Sequence, residues 1–280
     1  MLRKSRFPAL ASLVALAPTA VAEPAVTLPP PPFTLPFLPS PSGDWTVTIG
    51  MGGEMRPAFE GSRAFLFDPK PLFSIRRAGT PEPFRSPRDG ISFPLLDIGG
   101  FRLGPVAKIV AERKVGDRAA LHGLGNVGFA VELGGFAEYF PVSWFRTRIE
   151  LRQGLGGHRG LVADFSADLI APSWNGFTLS GGPRFSLGDR RWASRYFDVS
   201  AAQALASGLP AYDAKGGARS IGAGALLSYR INRQWTVHGY VEYGRLLGSA
   251  AASPLVARRG TPDQVTFGFG ASYSFDLRIR

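Results

Sequence analysis

Hydrophobic residues alternate with small or polar residues over the last long segment of the chain, residues 265–275. Because successive side chains of a β-strand point to opposite faces, one face of this segment is apolar and the other carries only Gly, Ser and Thr. About ten residues of this pattern, in a tilted strand, cross a bilayer. The segment therefore predicts a membrane-spanning strand with a lipid-facing side and an inner side.

The same alternation recurs along the chain and predicts further strands. These lie at 45–51, 101–111, 127–139, 145–152, 161–170, 177–187, 221–231 and 235–246. Residues 65–75 contain Pro69 and Pro71, which predict two short pieces or a strand with a bulge. The pattern indicates an all-β fold, a transmembrane antiparallel up-and-down β-barrel of about 10–12 strands. A soluble β-sandwich shows the same period and is the alternative fold.

Two connections lack the alternation. Residues 190–219 are rich in Ala, Gly and aromatic residues, and we expect an extracellular loop or an extra strand pair there. Residues 248–263 form a second long loop. Aromatic residues concentrate near predicted strand ends, where rings favour the lipid–water interface, and this distribution suggests the girdles of a barrel.

The end of the chain favours the barrel over the sandwich. Gly270, Tyr273 and Phe275 match the carboxy-terminal signal that the barrel-insertion machinery recognises. The chain departs from that signal by continuing through residues 276–280, which either complete the strand or extend into the periplasm.

The beginning of the chain predicts export. A basic head, an apolar stretch at 9–21 and the small residues Ala20 and Ala22 predict a signal peptide, residues 1–22, that is cleaved before Glu23. An uncleaved membrane anchor is the alternative. Residues 23–44 are Pro-rich and predict an extended periplasmic arm, either a docking segment or a plain spacer. The predicted barrel then occupies 45–280.

Composition and charge exclude several classes of function. The chain has no Cys and 35 Gly among 280 residues, so it uses no disulfides and suits a barrel better than a helical domain. The formal charge is +11, but the Arg residues are scattered and accompany no nucleic-acid recognition motif. In an outer-membrane protein, basic loops meet lipid or lipopolysaccharide phosphates, or they are simply solvated.

One predicted strand carries an unusual charged face. Arg146, Arg148, Glu150 and Arg152 alternate with apolar residues, so they share one side. In a barrel that side must be the lumen, because lipid does not accept it. An interior lined by Arg favours anions.

The polar residues do not establish an enzyme. A hydrolase site would draw on Ser228, His238, Glu242, Asp164 and Asp168, but polar side chains are expected in any barrel lumen. We therefore predict no catalysis. His122 and His158 are most simply turn residues, and no spacing suggests a metal site or a cofactor.

Several segments resemble the MipA/OmpV family of outer-membrane proteins, also called MltA-interacting proteins. The segments follow the family's order over about residues 45–275 and lie at 123–125, 154–160, 192–199, 207–212, 246–248 and 253–256. The resemblance implies a monomeric barrel in the outer membrane of a Gram-negative bacterium. It further implies a scaffold that links a murein lytic transglycosylase to a penicillin-binding peptidoglycan synthase, while other members are reported as antigens or adhesins.

Two functions thus remain open. The first is a non-enzymatic barrel that docks cell-wall enzymes through its periplasmic turns and the Pro-rich arm. The second is a narrow, anion-preferring channel, or a surface barrel that contacts external ligands.

Overall fold

The structure is a computed structural model that describes residues 43–80 and 82–279. The predicted signal peptide and almost all of the predicted arm lie outside the described residues. The first strand begins at Gly43, two residues before the predicted start of the barrel.

The described chain forms twelve β-strands and four short α-helices. The strands are β1 (Gly43–Pro57), β2 (Phe65–Arg77), β3 (Ile91–Ser92), β4 (Leu96–Ile98), β5 (Phe101–Val110), β6 (Ala130–Val142), β7 (Phe145–Gly156), β8 (Leu161–Ile170), β9 (Phe177–Gly188), β10 (Gly217–Arg230), β11 (Trp235–Leu246) and β12 (Asp263–Ile279). The helices are α1 (Arg190–Phe197), α2 (Ala201–Ser207), α3 (Gly248–Ala252) and α4 (Pro254–Arg259). None of the described helices is long and apolar enough to span a membrane.

All strands belong to one antiparallel sheet in the order β2-β1-β12-β11-β10-β9-β8-β7-β6-β5-β3, with β4 also paired to β5. β3 and β4 pair with successive parts of β5, so they are two pieces of one interrupted strand. Among the described residues, no strand pairs with the outer edge of β2. The up-and-down arrangement confirms the predicted fold class.

The outer face of the sheet is apolar. In β12, Phe267 and Phe269 are 46% and 64% exposed, and the intervening Gly268 is buried on the inner side. The same alternation continues in β1 and β2, where Met51 and Phe73 are exposed. Since large apolar side chains cover this face from strand to strand, the face is suited to contact with acyl chains.

The two ends of the barrel differ. We call the end where Gly43 pairs with Ile279 the terminal end. Apart from the connection between β2 and β3, the connections at this end are short, and Trp144, Trp174 and Trp235 are exposed along it. The opposite, far end carries the long loops. In outer-membrane barrels short turns are periplasmic and long loops extracellular, so the terminal end faces the periplasm. The row of Trp rings is typical of an interfacial girdle.

The far-end loops pack together as a cap, formed by 58–64, 111–129, 157–160, 189–216 and 247–262. The cap has two apolar clusters. One contains Trp192, Phe197 and Val256 with seven further buried residues. The other contains Phe59, Leu121 and Leu255 with three more. Most of the fully buried apolar side chains of the described chain therefore lie in its loops.

The segment expected to be an extracellular loop or an extra strand pair, residues 190–219, is mainly a far-end loop that contains α1 and α2 and leads into β10 at Gly217. Asp189 begins α1 by accepting a hydrogen bond from the Trp192 backbone N–H. Ser200 and Gln203 form a capping box that begins α2. The helical spacing of Trp192, Ala193, Tyr196 and Phe197 buries one face of α1 in the cap.

Two details of the strands also differ from the sequence pattern. β2 is one continuous strand across Pro69 and Pro71, and its pairing with β1 has no shift in register. Both prolines lie on an edge strand, where a missing N–H need not remove a ladder hydrogen bond. The extension past Phe275 completes β12, because Asp276, Leu277, Arg278 and Ile279 all pair with β1.

Candidate functional site

The inner face of β6 to β9 is a network of buried charges. Arg146, which is fully buried, donates hydrogen bonds to Glu138 at 2.9 Å and to Asp168 at 3.1 Å. It also donates to Asp89 at 2.6 Å. Strand alternation places these wall residues on the inner side, since Arg146 is the register partner of Asp168 across β7 and β8.

Arg148 and Arg152 extend the network along β7. Arg148 donates to Glu138 at 3.1 Å and to Glu150 at 2.8 Å. Arg152 donates to Glu132 at 2.8 Å and also contacts Glu150 and Asp164. Every one of these guanidinium groups therefore lies against at least two carboxylates.

Buried charges require this matching, because an unpaired ion in a dry interior is costly. The bases in and around this network are Arg88, Arg102, Lys108, Arg146, Arg148, Arg152 and Arg184; the acids are Asp89, Glu132, Glu138, Glu150, Asp164, Asp168 and Glu242. The two signs nearly cancel. The Arg residues of β7 alone suggest an interior that favours anions. The ion pairs do not support that expectation, because carboxylates neutralise these Arg residues.

Part of the network comes from a segment that enters the lumen instead of joining the wall. We call residues 84–90 the inserted segment. Arg88 at its tip donates to Asp164 on β8 at 2.9 Å and to Glu242 on β11 at 2.5 Å. The Gly90 N–H donates to Glu150 on β7 at 3.1 Å, and Lys108 on β5 donates to the Arg88 carbonyl at 3.4 Å. The sheet thus curls around the inserted segment.

Proline explains why this segment does not complete the wall. Residues 80–90 include Pro81, Pro83 and Pro87, which supply no N–H to a ladder. The chain instead leaves β2, rises inside the lumen to Gly90, and descends as β3 and β4. A Cβ on Gly90 would lie 2.5 Å from Val106 Cγ2, so the return requires glycine. Apart from its prolines, no pattern in the sequence indicates this insertion.

The other half of the lumen carries many small residues, together with the larger Leu226, His238, Tyr240 and Glu54. Most inner positions of β10, β11, β12 and β1 are half-buried, in contrast to the buried charges of β6 to β9. They include Gly222, Gly224, Ser228, Gly244, Ser272, Ser274, Gly50 and Gly52. The cross-section is therefore asymmetric, with packed ion pairs on one side and many small side chains on the other.

The residues considered for hydrolysis are not assembled into a nucleophilic site. Ser228 and His238 are register partners on β10 and β11, but neither side chain has a hydrogen bond to another described residue. Glu242 holds Arg88, and Asp164 and Asp168 hold Arg residues of the network. These carboxylates are engaged in ion pairs, not in orienting a base.

His158 lies in the turn between β7 and β8, and its buried side chain also belongs to the network. Its Nε2 lies 3.1 Å from Glu132 Oε1, and its ring centroid lies 5.7 Å from that of Tyr196 in α1. It therefore joins the charged interior to the cap. Within the cap, burial raises the pKa of the Tyr196 hydroxyl, and burial lowers the pKa of the neighbouring Arg113 to about 10.

The three residues of the predicted insertion signal lie in β12. Tyr273 packs against Trp235 with ring centroids 5.1 Å apart, and Phe275 stacks on Tyr273 at 6.1 Å. Gly270 lies on the inner side, where a Cβ would meet the ring of His238 at 2.7 Å. Their recognition by the insertion machinery stays a prediction.

The sequence that forms this barrel matches the model of a protein family. A family model described as MltA-interacting protein MipA matches residues 49–275. The chain belongs to this family. The protein is accordingly an outer-membrane β-barrel of the Gram-negative envelope. The resembling segments at 192–199, 207–212, 246–248 and 253–256 all lie at the far end, where most of their residues build the cap.

Solved outer-membrane proteins are similar to this MipA-family chain at low identity. The NanC porin shares 8% identity over 82% of this chain and 98% of its own, with a TM-score of 0.41. OprG from Pseudomonas aeruginosa shares 12% over 84% and 97%, with a TM-score of 0.28. Neisserial surface protein A shares 9% over 83% and 99%, with a TM-score of 0.27. No curated protein matches the chain.

Proposed function

We propose that this protein is a non-enzymatic barrel, closed at rest, that serves as an adaptor for peptidoglycan-remodelling enzymes at the periplasmic face of the outer membrane. The family is described by its interaction with MltA, which supports a lytic transglycosylase as one partner. A penicillin-binding synthase is the second partner that the family resemblance implies. The barrel itself acts as a monomer in this proposal.

The observation that carries the proposal is that protein groups occupy the interior. Two pockets beside the inserted segment each have a volume of about 10 Å³, which is room for a single water. Sites that bind small molecules are typically cavities of several hundred Å³. A role in docking at the ends of the barrel therefore accords better with this interior than catalysis or steady transport.

The terminal end offers a basic docking surface. Arg230 is the last residue of β10, and Arg233 lies in the turn that leads to β11. Both are exposed and have no ion-pair partner among the described residues. At the same end Asp44 pairs with Arg278 at 2.7 Å and Asp97 with Arg102 at 2.9 Å. Glu82 and Asp276 are exposed without an ion-pair partner among the described residues, but the exposed Arg85, Arg230 and Arg233 outnumber them. The uncompensated charge is positive, which favours an acidic partner surface.

Capture of partners from detergent-solubilised envelopes tests the adaptor. We expect the full chain to recover a lytic transglycosylase and a penicillin-binding protein, and the double variant R230E/R233E to recover less of both. The matched control is R191E/R258E, which reverses two exposed Arg residues at the far end. A further variant lacking residues 24–41 tests the arm. Equal recovery by all four proteins would contradict the adaptor proposal.

The channel alternative has its own test. The unmodified protein should give no steady current in a planar bilayer, because the inserted segment and the ion pairs occupy the lumen. Steady anion-selective steps from the unmodified protein would favour the channel over the closed adaptor.

A further inference from the structure

The inserted segment has the features of a removable part. Its ascending limb, residues 84–90, pairs with no strand, and its contacts to the wall are mostly between side chains. Arg88 accounts for three of them, to Asp164, Glu242 and Ser186. Asp89 and Ser86 add contacts to Arg146 and Arg184. Side-chain contacts of this kind break without disrupting the backbone ladder of the barrel.

Most charged residues of the wall would keep an ion-pair partner if the inserted segment left the lumen. Arg146 keeps Glu138 and Asp168, and Asp164 keeps Arg152. Glu242 differs from them, because Arg88 is its ion-pair partner among the described residues. Loss of the segment therefore leaves one free carboxylate on the inner wall.

That carboxylate lies beside the small-residue half of the lumen. Glu242 is flanked on β11 by Gly244, and its register partners are Gly224 on β10 and Thr266 on β12. Gly244 has open space where a Cβ would stand, and Gly224 has only contacts beyond 3.5 Å. The free charge would lie between the open space at Gly244 and the hydrogen bond from Tyr240 to Glu54.

We propose that the inserted segment is a displaceable plug, and that the interior it vacates is a passage that prefers small hydrated cations. Arg88 closes the passage by neutralising Glu242 and by spanning from β8 to β11. Displacement exposes Glu242 along the Gly- and Ser-lined half of the lumen. The preference for cations is opposite in sign to that suggested by the Arg residues of β7 alone.

The absence of cysteine makes displacement measurable by thiol labelling. Ser186 is fully buried and its hydroxyl lies 2.5 Å from Arg88 Nη2, so a thiol there is shielded only while the segment is in place. We expect S186C to react with a charged methanethiosulfonate at least tenfold faster when combined with R88A. The matched control is R245A, which removes an Arg from an exposed pair on the same strand as Glu242. It should leave the rate of S186C unchanged.

Planar-bilayer recording tests the passage. We expect discrete current steps from R88A, with a reversal potential under a KCl gradient that indicates cation preference, and none from R245A. E242Q removes the ion pair between Arg88 and Glu242 by changing the wall residue. This variant should also give current steps, but without the cation preference. A heat-modifiable gel shift establishes that each variant is folded.

Two results would overturn the proposal. One is a folded R88A and a folded E242Q that both stay silent, even if S186C becomes reactive. The other is current through R88A that prefers anions. If R88A fails to fold, the E242Q recording alone decides.

Discussion

Arg88 and Asp164 meet across the lumen at 2.9 Å, although the first belongs to a proline-rich connection and the second to the wall strand β8. Asp164 also contacts Arg152, so this carboxylate links the inserted segment to the permanent network of β7. The pair shows that the barrel interior is built from two sources, the inner faces of the strands and a segment that the wall encloses.

Arg146 should be essential for stability. Replacing it with Ala removes the guanidinium that Glu138 and Asp168 share, while Arg148 still contacts Glu138 and Arg184 still contacts Asp168. Breaking a buried pair from one side costs about 3–5 kcal/mol. The free energy of unfolding in urea, measured in detergent micelles, should fall by up to that amount. R278A removes an exposed Arg from its pair with Asp44 and should change little. A stable R146A variant would contradict the importance of the network.

Gly90 should not tolerate a side chain. In G90V the new Cβ would meet Val106 Cγ2 at 2.5 Å and the Ala107 carbonyl oxygen at 2.9 Å, so the return of the chain into β3 must shift. We expect a lower unfolding temperature and faster thiol labelling of S186C. G116V is the control, because a Cβ on Gly116 would meet nothing within 4 Å. Equal behaviour of the two variants would count against the tight return.

The cap should contribute stability of its own. Trp192 is buried in the larger apolar cluster, and truncating a buried Trp to Ala typically costs about 3–5 kcal/mol. W192A should lose the cap before the barrel, so far-end loops should become sensitive to protease while the heat-modifiable gel shift persists. L205A removes a side chain that is 90% exposed on α2 and should have no effect. If the gel shift disappears together with the protease resistance of the loops, the cap and the barrel unfold as one unit.

Phe275 should matter more for assembly in the cell than for stability. If Gly270, Tyr273 and Phe275 form the insertion signal, F275S should reduce the amount of folded barrel in the outer membrane several-fold. The same variant should refold from urea into detergent with a yield close to that of the unmodified chain. V265S changes an outward position of β12 outside the signal and serves as the control. Equal losses for both variants would remove the support for a specific signal.

The alternation of apolar and polar residues in the sequence is enough to predict most of the strands. The segments 161–170 and 235–246 coincide with β8 and β11, because one apolar and one polar face fix a strand's orientation and register in a barrel wall. The grouping of Arg146, Arg148, Glu150 and Arg152 on one face follows from the same period.

Only the tertiary structure decided which charges meet and which connections enter the lumen. The carboxylates that pair with β7 come from β6, β8 and the inserted segment, and no local pattern encodes contacts between residues so distant in sequence. Likewise, the helices are short, and the apolar faces of α1, α3 and α4 become buried only when five loops pack together. Periodicity indicates the environment of a strand, whereas contacts across the lumen or within the cap depend on how the sheet curls and how its loops pack.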